Sequence, residues 1–271
     1  MSIAAARLTP REHAAVSRFL RRALARGNPP LFRAALFGSK ARGDFDRDSD
    51  VDVLLVADVG ADDRLLAAEA FGRLAERVTE GTGVEIEPWT VCVVDLEEGR
   101  RTPMLVDAVA DSIPLWPAGA PPLRAPFTPA DAVFCAECLL GWVEAGGEVS
   151  GRALAEGALD EAARRARDDI ARLATAALLL CGDTRHRRVG TLRRFEERFV
   201  RTGTVSPRVL PALAWAAEAY PPDGGRGQET PPVPAATAAT AALGRRLVAT
   251  LEAELVPRLL ARMAELDPAA T

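Results

Sequence analysis

The sequence predicts an α+β protein in which a part with alternating helices and strands precedes an all-helical part. Up to residue 116, short apolar runs bounded by Gly and Pro alternate with amphipathic helical patterns. After residue 128 the pattern is helical throughout. A stretch rich in Pro and Gly, residues 117–122, lies between the two parts. We therefore expect one domain at residues 1–120, a linker at 121–127 and a helical domain at 128–271.

The first part begins with a helix and contains four strands. Thr9, Pro10 and Glu12 combine a capping residue, a proline suited to the first helical turn and the glutamate of a capping box. This helix is expected to end before the turn at Gly27. The elements expected after it are a strand at 31–37, a helical turn at 40–42, a polar loop at 43–49, a strand at 50–56, a helix at 62–78, a strand at 84–94, a helix at 104–110 and a strand at 112–116.

The second part repeats the cap-plus-proline start at Thr128 and Pro129. Its expected elements are helices near 129–145, 152–181, 191–201, 206–219 and 236–265, with a Pro/Gly-rich loop at 221–234.

Composition excludes several protein classes. The 271 residues include 34 basic and 38 acidic side chains, and 48% are hydrophobic, as is typical of globular proteins. The formal net charge of −4 does not favour nucleic-acid binding outside a local patch. Four scattered cysteines do not fit a disulfide-stapled secreted domain. Because no apolar run approaches the roughly 20 residues of a membrane span, and no signal-peptide pattern is present, we expect a cytoplasmic protein without a membrane partner.

Two aspartates carry the clearest chemical signal. Asp50 and Asp52 lie two positions apart on a predicted strand, so both carboxylates project from one face. Carboxylates this close repel each other unless a cation lies between them. Mg²⁺ prefers a few carboxylates together with substrate phosphates. The pair therefore predicts a magnesium site that also holds a phosphorylated substrate.

A phosphate-binding turn is predicted just before this pair. Gly38 and Ser39 end a strand and open a helical turn, where backbone N–H groups and the hydroxyl suit a triphosphate. Lys40, the only lysine of the chain, and Arg42 add cationic groups for the same phosphates. The candidate nucleotide-binding residues are Gly38, Ser39, Lys40, Arg42 and Ser49.

The motifs GSKARG (residues 38–43) and SDVDVLLV (residues 49–56) resemble the signature of the minimal branch of the DNA polymerase beta superfamily of nucleotidyltransferases. That branch includes antibiotic-modifying enzymes. The resemblance covers residues 30–116 and implies a mixed sheet with flanking helices, two Mg²⁺ ions, and transfer of a nucleoside monophosphate, AMP from ATP, with release of pyrophosphate. By position, Gly38 and Ser39 would bind phosphate, while Asp50 and Asp52 would bind metal.

The resemblance also implies a third carboxylate on a neighbouring strand, as metal ligand, general base or both. Glu85 and Glu87 are the two candidates, two positions apart among apolar residues. Glu87 is preferred, and Glu85 stays open as the alternative. Because Glu87 precedes Pro88, strand pairing is expected to be interrupted there. A base at this position would take the proton of an acceptor hydroxyl that attacks the α-phosphate.

The helical part resembles a second family. Residues 178–203, LLLCGDTRHRRVGTLRRFEERFVRTG, are similar to the centre of HEPN domains (higher eukaryotes and prokaryotes nucleotide-binding), which often accompany minimal nucleotidyltransferases. This resemblance covers residues 128–266 and implies an all-α bundle. Many HEPN domains are RNases with an Arg, four to six residues, and then a His. His186, the one histidine of the helical part, has no Arg at that spacing before it, so we do not expect RNase activity.

The acceptor of the transferred group stays open. The chain length and the fused helical domain fit a hydroxylated small molecule such as an aminoglycoside-type antibiotic. Acidic residues around the third strand offer charge to a cationic acceptor: Glu85, Glu87, Asp95, Glu97 and Glu98. Residues 185–201, with seven Arg and two Glu, instead fit the triphosphate or an anionic acceptor such as RNA.

Two further functions and a homodimer stay open as well. One alternative is AMP transfer to a protein or RNA in a fused toxin–antitoxin-like system. The other is a nucleotide-sensing protein without catalysis, although both metal carboxylates are intact.

Overall fold

The described residues of the computed structural model form two compact units, one up to Pro126 and one from Phe127 onward. The structure describes residues 8–27, 29–43, 45, 49–97, 100–184, 188–219 and 235–266. Three predicted features lie outside these residues, wholly or in part: the 221–234 loop, the 185–187 start of the Arg-rich stretch with His186, and Glu98.

The first unit contains four strands and five α-helices among its described residues. The helices are α1 (Pro10–Arg26), α2 (Gly38–Arg42), α3 (Arg64–Thr82), α4 (Val93–Glu97) and α5 (Pro103–Asp111). The strands are β1 (Leu31–Leu36), β2 (Val51–Ala57), β3 (Ile86–Cys92) and β4 (Ile113–Trp116). α1 starts with the predicted capping box, in which Thr9 and Glu12 satisfy each other's backbone N–H groups.

The four strands form one mixed sheet in the order β3-β2-β1-β4. β1 is antiparallel to both β2 and β4, whereas β2 and β3 are parallel. The N-terminal ends of β2 and β3 and the C-terminal end of β1 therefore meet at the same edge of the sheet. The predicted mixed sheet with flanking helices is confirmed for this unit.

Each face of the sheet packs on its own apolar cluster. Val53 and Leu55 of β2 belong to the cluster that includes α1 and α3. Leu54 and Val56 belong to the cluster that includes α5. Because side chains alternate along a strand, Asp52 shares the α5 face, at the end of β2 where the apolar cluster stops.

β3 differs from its prediction in extent and in pairing. It ends at Cys92, and the next five residues form α4. The expected interruption at Pro88 is wrong, since Pro88 lies opposite Val53 in an unbroken register. β3 is an edge strand paired with β2 alone, and an edge strand tolerates proline where the missing N–H points away from its partner.

The described residues of the second unit form helices joined by turns, with no strand among them. Its helices are α6 (Pro129–Ala155), α7 (Leu159–Leu179), α8 (Arg188–Phe195), α9 (Leu210–Ala217) and α10 (Ala238–Leu266). α8 continues as a π-helical turn, Glu196–Val200. α7 packs against both α6 and α10, and buries Ile170 and Leu173 completely.

The predicted helix break between residues 145 and 152 is wrong, because α6 runs on to Ala155. Gly146, which lies in the expected gap, is a packing position. A Cβ atom there would lie 2.6 Å from a carboxylate oxygen of Asp169, so only glycine permits this approach of α7. The chain turns at Gly157, whose φ of 77° is in the left-handed region.

Among the described residues, no helix is both long enough and apolar enough to cross a membrane.

Candidate metal and nucleotide site

The sheet register brings three carboxylates together. Asp52, near the start of β2, lies directly opposite Glu87 of β3 in the parallel ladder. Asp50 directly precedes β2. One carboxylate oxygen from each of Asp50, Asp52 and Glu87 lies within 4.8 Å of the other two. These three residues are hereafter called the carboxylate triad.

Glu85 is not part of this group in the described structure. It precedes β3, and its carbonyl accepts the N–H of Val51 at 3.0 Å. Its side chain is exposed, and its negative charge still acts on Glu87. Of the two glutamates left open by the sequence, the geometry therefore groups Glu87 with the aspartates.

Burial and like charge disfavour ionisation of Asp52. Burial is the larger cause and the charge of Asp50 adds to it, so that the pKa of Asp52 is raised from 3.8 to about 6. Arg42 acts in the opposite direction without cancelling the effect.

Glu87 shows the same repulsion more strongly. A hydrogen bond with Asp50 is the largest cause, and partial burial is the next, of the rise in the pKa of Glu87 from 4.5 to about 7. The negative charges of Asp50, Asp52 and Glu85 act in the same direction. Protonation of Glu87 would therefore relieve part of this repulsion.

Gly38 allows α2 to approach the triad closely. Its φ is +69°, and a Cβ atom on it would lie 2.0 Å from a carboxylate oxygen of Asp52. The N–H of Phe37 donates to the carbonyl of Asp52 at 3.2 Å, which fixes the end of β1 against β2. The half-buried Gly38 thus lies beside Asp52, and Ser39 follows it in α2.

The side chain of Lys40, which the sequence predicts as a phosphate ligand, binds a carboxylate of α1. Its side chain is only 2% exposed, and its ammonium binds the Glu12 carboxylate at 2.7 Å. It also lies 4.4 Å from the centre of the Phe45 ring. The structure therefore places Lys40 with α1 and not among the triad carboxylates.

Arg42 contacts α5 and also acts on the triad. Its guanidinium binds Asp111 at 2.8 Å, and its charge lowers the pKa of Asp52. Ser49 is half-buried and directly precedes Asp50. Arg42 and Ser49 thus both lie near the carboxylates.

The donor set fits a divalent cation. Three carboxylates offer only hard oxygen ligands, the type that Mg²⁺ takes together with phosphate oxygens. A cation between them would offset the repulsion that raises the pKa values of Asp52 and Glu87. The chemistry available at this edge of the sheet is metal-assisted handling of a phosphorylated ligand.

Residues 17–112 match the family model described as a nucleotidyltransferase domain. The matched segment includes β1, α2, β2 and β3, and with them the whole triad. It supports the polymerase-beta-like nucleotidyltransferase that the sequence resembles. Searches of curated proteins and of solved structures found no match to the chain.

The residues of the predicted acidic patch whose side chains are described do not all lie at the triad. Asp95 lies beyond the other end of β3, where it accepts the N–H of Cys92 at 2.7 Å and lies 3.5 Å from Arg64. The side chain of Glu97, like Glu98, lies outside the described residues. Of the patch residues whose side chains are described, Glu87 belongs to the triad and Glu85 acts on it by its charge, whereas Asp95 lies elsewhere.

Two residues that hold α2 were missed by the sequence reasoning. Glu12 binds Lys40 across 28 positions of sequence, and Asp111 binds Arg42 across 69. In the sequence, the capping box of α1 already explains why a glutamate stands at position 12. Asp111 is the last residue of α5 and belongs to no recognisable motif. No local pattern announces either contact.

Four arginines of the Arg-rich stretch have partners within the helical unit. These contacts are Arg193 with Glu197 at 3.8 Å, Arg194 with Asp183 at 3.4 Å, Arg198 with the Cys181 carbonyl at 3.2 Å, and Arg201 with Glu196 at 3.1 Å. Glu196 and Glu197 already belong to the stretch, so among these contacts Asp183 alone adds a negative charge, and most of the predicted positive surplus is not offset by them.

Proposed function

We propose that the protein is a Mg²⁺-dependent nucleotidyltransferase that moves a nucleoside monophosphate, AMP from ATP, to a hydroxyl of a small-molecule acceptor. The observation that carries this proposal is the carboxylate triad beside Gly38 and Ser39, inside the segment that matches the nucleotidyltransferase family model. A cluster of carboxylates that repel one another is typical of a functional site, where a bound cation offsets the repulsion.

In this proposal Asp50, Asp52 and Glu87 hold two Mg²⁺ ions, and Gly38 and Ser39 bind the phosphates. Bound Mg²⁺ would neutralise charge on the triphosphate and on the leaving pyrophosphate. Arg42 and Ser49, which lie near the carboxylates, complete the nucleotide side of the site.

Glu87 is the proposed general base. It is exposed, so a carboxylate oxygen that does not hold metal can accept the proton of an acceptor hydroxyl. The acceptor oxygen forms a bond to the α-phosphorus as its proton moves to the Glu87 carboxylate. The bond between the α-phosphorus and the oxygen bridging to the β-phosphate breaks, and pyrophosphate leaves with that electron pair.

We further propose that residues 1–120 are the catalytic domain, 121–127 the linker and 128–271 a HEPN-like helical domain. A hydroxylated, cationic small molecule of the aminoglycoside type is the proposed acceptor class. Glu85 supports it, since this exposed carboxylate lies next to the triad but is not one of its three ligands.

The test is the fate of label from each α-labelled nucleoside triphosphate with Mg²⁺, with and without an aminoglycoside panel. Wild type is compared with the Asp50→Ala/Asp52→Ala double variant. The matched control is Glu69→Gln, which removes an exposed ion pair on α3. We expect label on a small molecule in wild type and in the control, and none in the double variant.

The other outcomes separate the alternatives. Label on the protein itself or on added RNA would replace the small-molecule acceptor by a macromolecule. Nucleotide binding without release of pyrophosphate under any condition would contradict transfer and favour a nucleotide sensor.

A further inference from the structure

The only lysine of the chain is almost completely buried in an ion pair. Lys40 is 2% exposed, and its ammonium donates to Oε1 of Glu12 at 2.7 Å. The Phe45 ring lies 4.4 Å from the same nitrogen. A buried ammonium needs such partners, because an unpaired charge in the protein interior is costly.

Glu12 joins this ion pair to the start of α1. Its Oε2 accepts the backbone N–H of Thr9 at 2.7 Å, and its own N–H donates to the Thr9 hydroxyl at 3.2 Å. Burial favours the neutral form of Glu12, but the hydrogen bonds from Lys40 and Thr9 outweigh it, and the pKa of Glu12 is lowered. Both carboxylate oxygens are thus engaged, one by the cap of α1 and one by α2.

α2 depends on contacts of this kind. It has five residues, Gly38–Arg42, far fewer than a helix needs to be stable by itself. Its second cation, Arg42, binds Asp111 of α5 at 2.8 Å. The helix is therefore held by one ion pair to α1 and another to α5, while Gly38 at its start lies against Asp52.

We propose that Lys40 and Glu12 are positioning residues for nucleotide binding: their buried ion pair fixes α2, and through α2 the place of Gly38 and Ser39 beside the triad. This inference rests on the proposed function and assigns Lys40 a role other than direct phosphate contact. It also makes the first turn of α1 part of the nucleotide machinery, although Glu12 lies before the matched segment 17–112.

The two possible roles of Lys40 differ in what Glu12 does. If Lys40 contacts phosphate, removal of the Glu12 charge leaves affinity unchanged or releases Lys40 to bind more tightly. If Lys40 acts through Glu12, loss of either partner weakens nucleotide binding to a similar extent. The double variant is then no worse than the single ones, since both remove the same interaction.

The experiment measures the dissociation constant of the Mg²⁺ complex of an ATP analogue with a methylene between the α- and β-phosphorus. The full chain is compared as wild type, Glu12→Gln, Lys40→Met and the double variant, well below the melting temperature of each. Glu12→Gln keeps an amide oxygen that can accept the Thr9 N–H, so this variant retains the cap of α1. It therefore tests the proposal even if Lys40→Met does not fold. The control is Glu69→Gln, whose partner Arg73 lies on the same exposed helix face.

We expect about a tenfold loss of affinity in each single variant, since displacement of a positioning residue typically costs 10- to 100-fold. The double variant should lie within about twofold of the single ones, and kcat at saturating ATP within about threefold of wild type. The control should bind as wild type does.

Three results would overturn the proposal. One is loss of affinity in Lys40→Met with none in Glu12→Gln, which makes Lys40 a direct phosphate ligand. Another is unchanged affinity in both variants, which makes the pair purely structural. The third is no analogue binding by wild type, which overturns the proposed function as well. If wild type binds the analogue but transfers no label from ATP, the proposed function fails while the four affinities still decide the role of the pair.

Discussion

Asp52 in the first unit and Asp169 in the second both have a pKa raised to about 6, but their surroundings are opposite. Burial is the largest cause for both. At Asp52 the next cause is the like charge of Asp50, which raises the pKa further. At Asp169 the next cause is the hydrogen bond from Arg172, at 2.7 Å, which lowers it. The sign of the neighbouring charge, more than the shift itself, separates a candidate site from a structural ion pair.

A glycine lies against each aspartate, Gly38 against Asp52 and Gly146 against Asp169, but the two glycines have different structural roles. Gly146 lets α7 pack against α6 over Asp169, which is only 1% exposed. Gly38 brings a helix start against the half-buried Asp52, beside the exposed Glu87. Asp169 is thus enclosed by packing, whereas Asp52 remains open to a ligand.

The largest expected effect separates the two aspartates by activity. Asp52→Asn should lower nucleotidyl transfer by about 10³-fold, since metal neutralisation of transition-state charge contributes several kcal/mol. Asp169→Asn removes a carboxylate whose pKa is raised as much as that of Asp52. It should retain transfer within about twofold of wild type, because Asp169 is not part of the proposed catalytic site. Steady-state kinetics with saturating Mg²⁺ checks both. Equal losses in the two variants would contradict the distinction.

A second prediction compares two carboxylates of the first unit, Glu87 and Glu85, by the effect of each on kcat. Glu87→Gln should lower kcat by about 10²-fold or more, the usual contribution of a general base. Glu85→Gln should change kcat by about fivefold or less, because charges at exposed positions interact by about 1 kcal/mol or less. A larger loss in Glu85→Gln than in Glu87→Gln would make Glu85 the third carboxylate.

The smallest effect concerns stability against pH. Because Asp52 and Asp169 both have folded-state pKa values near 6, above the usual 3.8, the protonated forms stabilise the fold at low pH. This stabilisation is complete below about pH 4 and is lost as the pH rises through about 6. Without metal, the melting temperature should therefore fall over this window, and Asp52→Asn and Asp169→Asn should each reduce the fall.

Mg²⁺ should separate the two contributions at pH 8. It should raise the melting temperature of wild type and Asp169→Asn by about 3 °C, by linkage to binding. It should leave Asp52→Asn unchanged. Calorimetry with and without the ion gives the result, and an equal rise in all three proteins would place the bound ion elsewhere.

Local sequence was sufficient for part of the fold and part of the site. Strand alternation and the turn at Gly38 predicted β1, α2 and β2, because each signal lies within a few residues. The approach of Glu87 to Asp52 depends on the parallel register of β2 and β3, which local sequence does not encode.

Long-range contacts account for what the sequence could not predict. The partners of Lys40 and Arg42, Glu12 and Asp111, come from distant helices. The helix break expected between residues 145 and 152 was wrong, and the contact of Gly146 in this gap with Asp169 of α7 is likewise long-range.

Mn²⁺ binding tests the metal centre at the carboxylate triad most directly. Electron paramagnetic resonance would measure this binding in wild type, Asp52→Asn and Asp169→Asn at pH 8. Mn²⁺ takes the same oxygen ligands as Mg²⁺ and gives a signal when free. We expect wild type and Asp169→Asn to bind the ion alike and Asp52→Asn to lose this binding. Undiminished binding by Asp52→Asn would contradict a metal centre at the carboxylate triad.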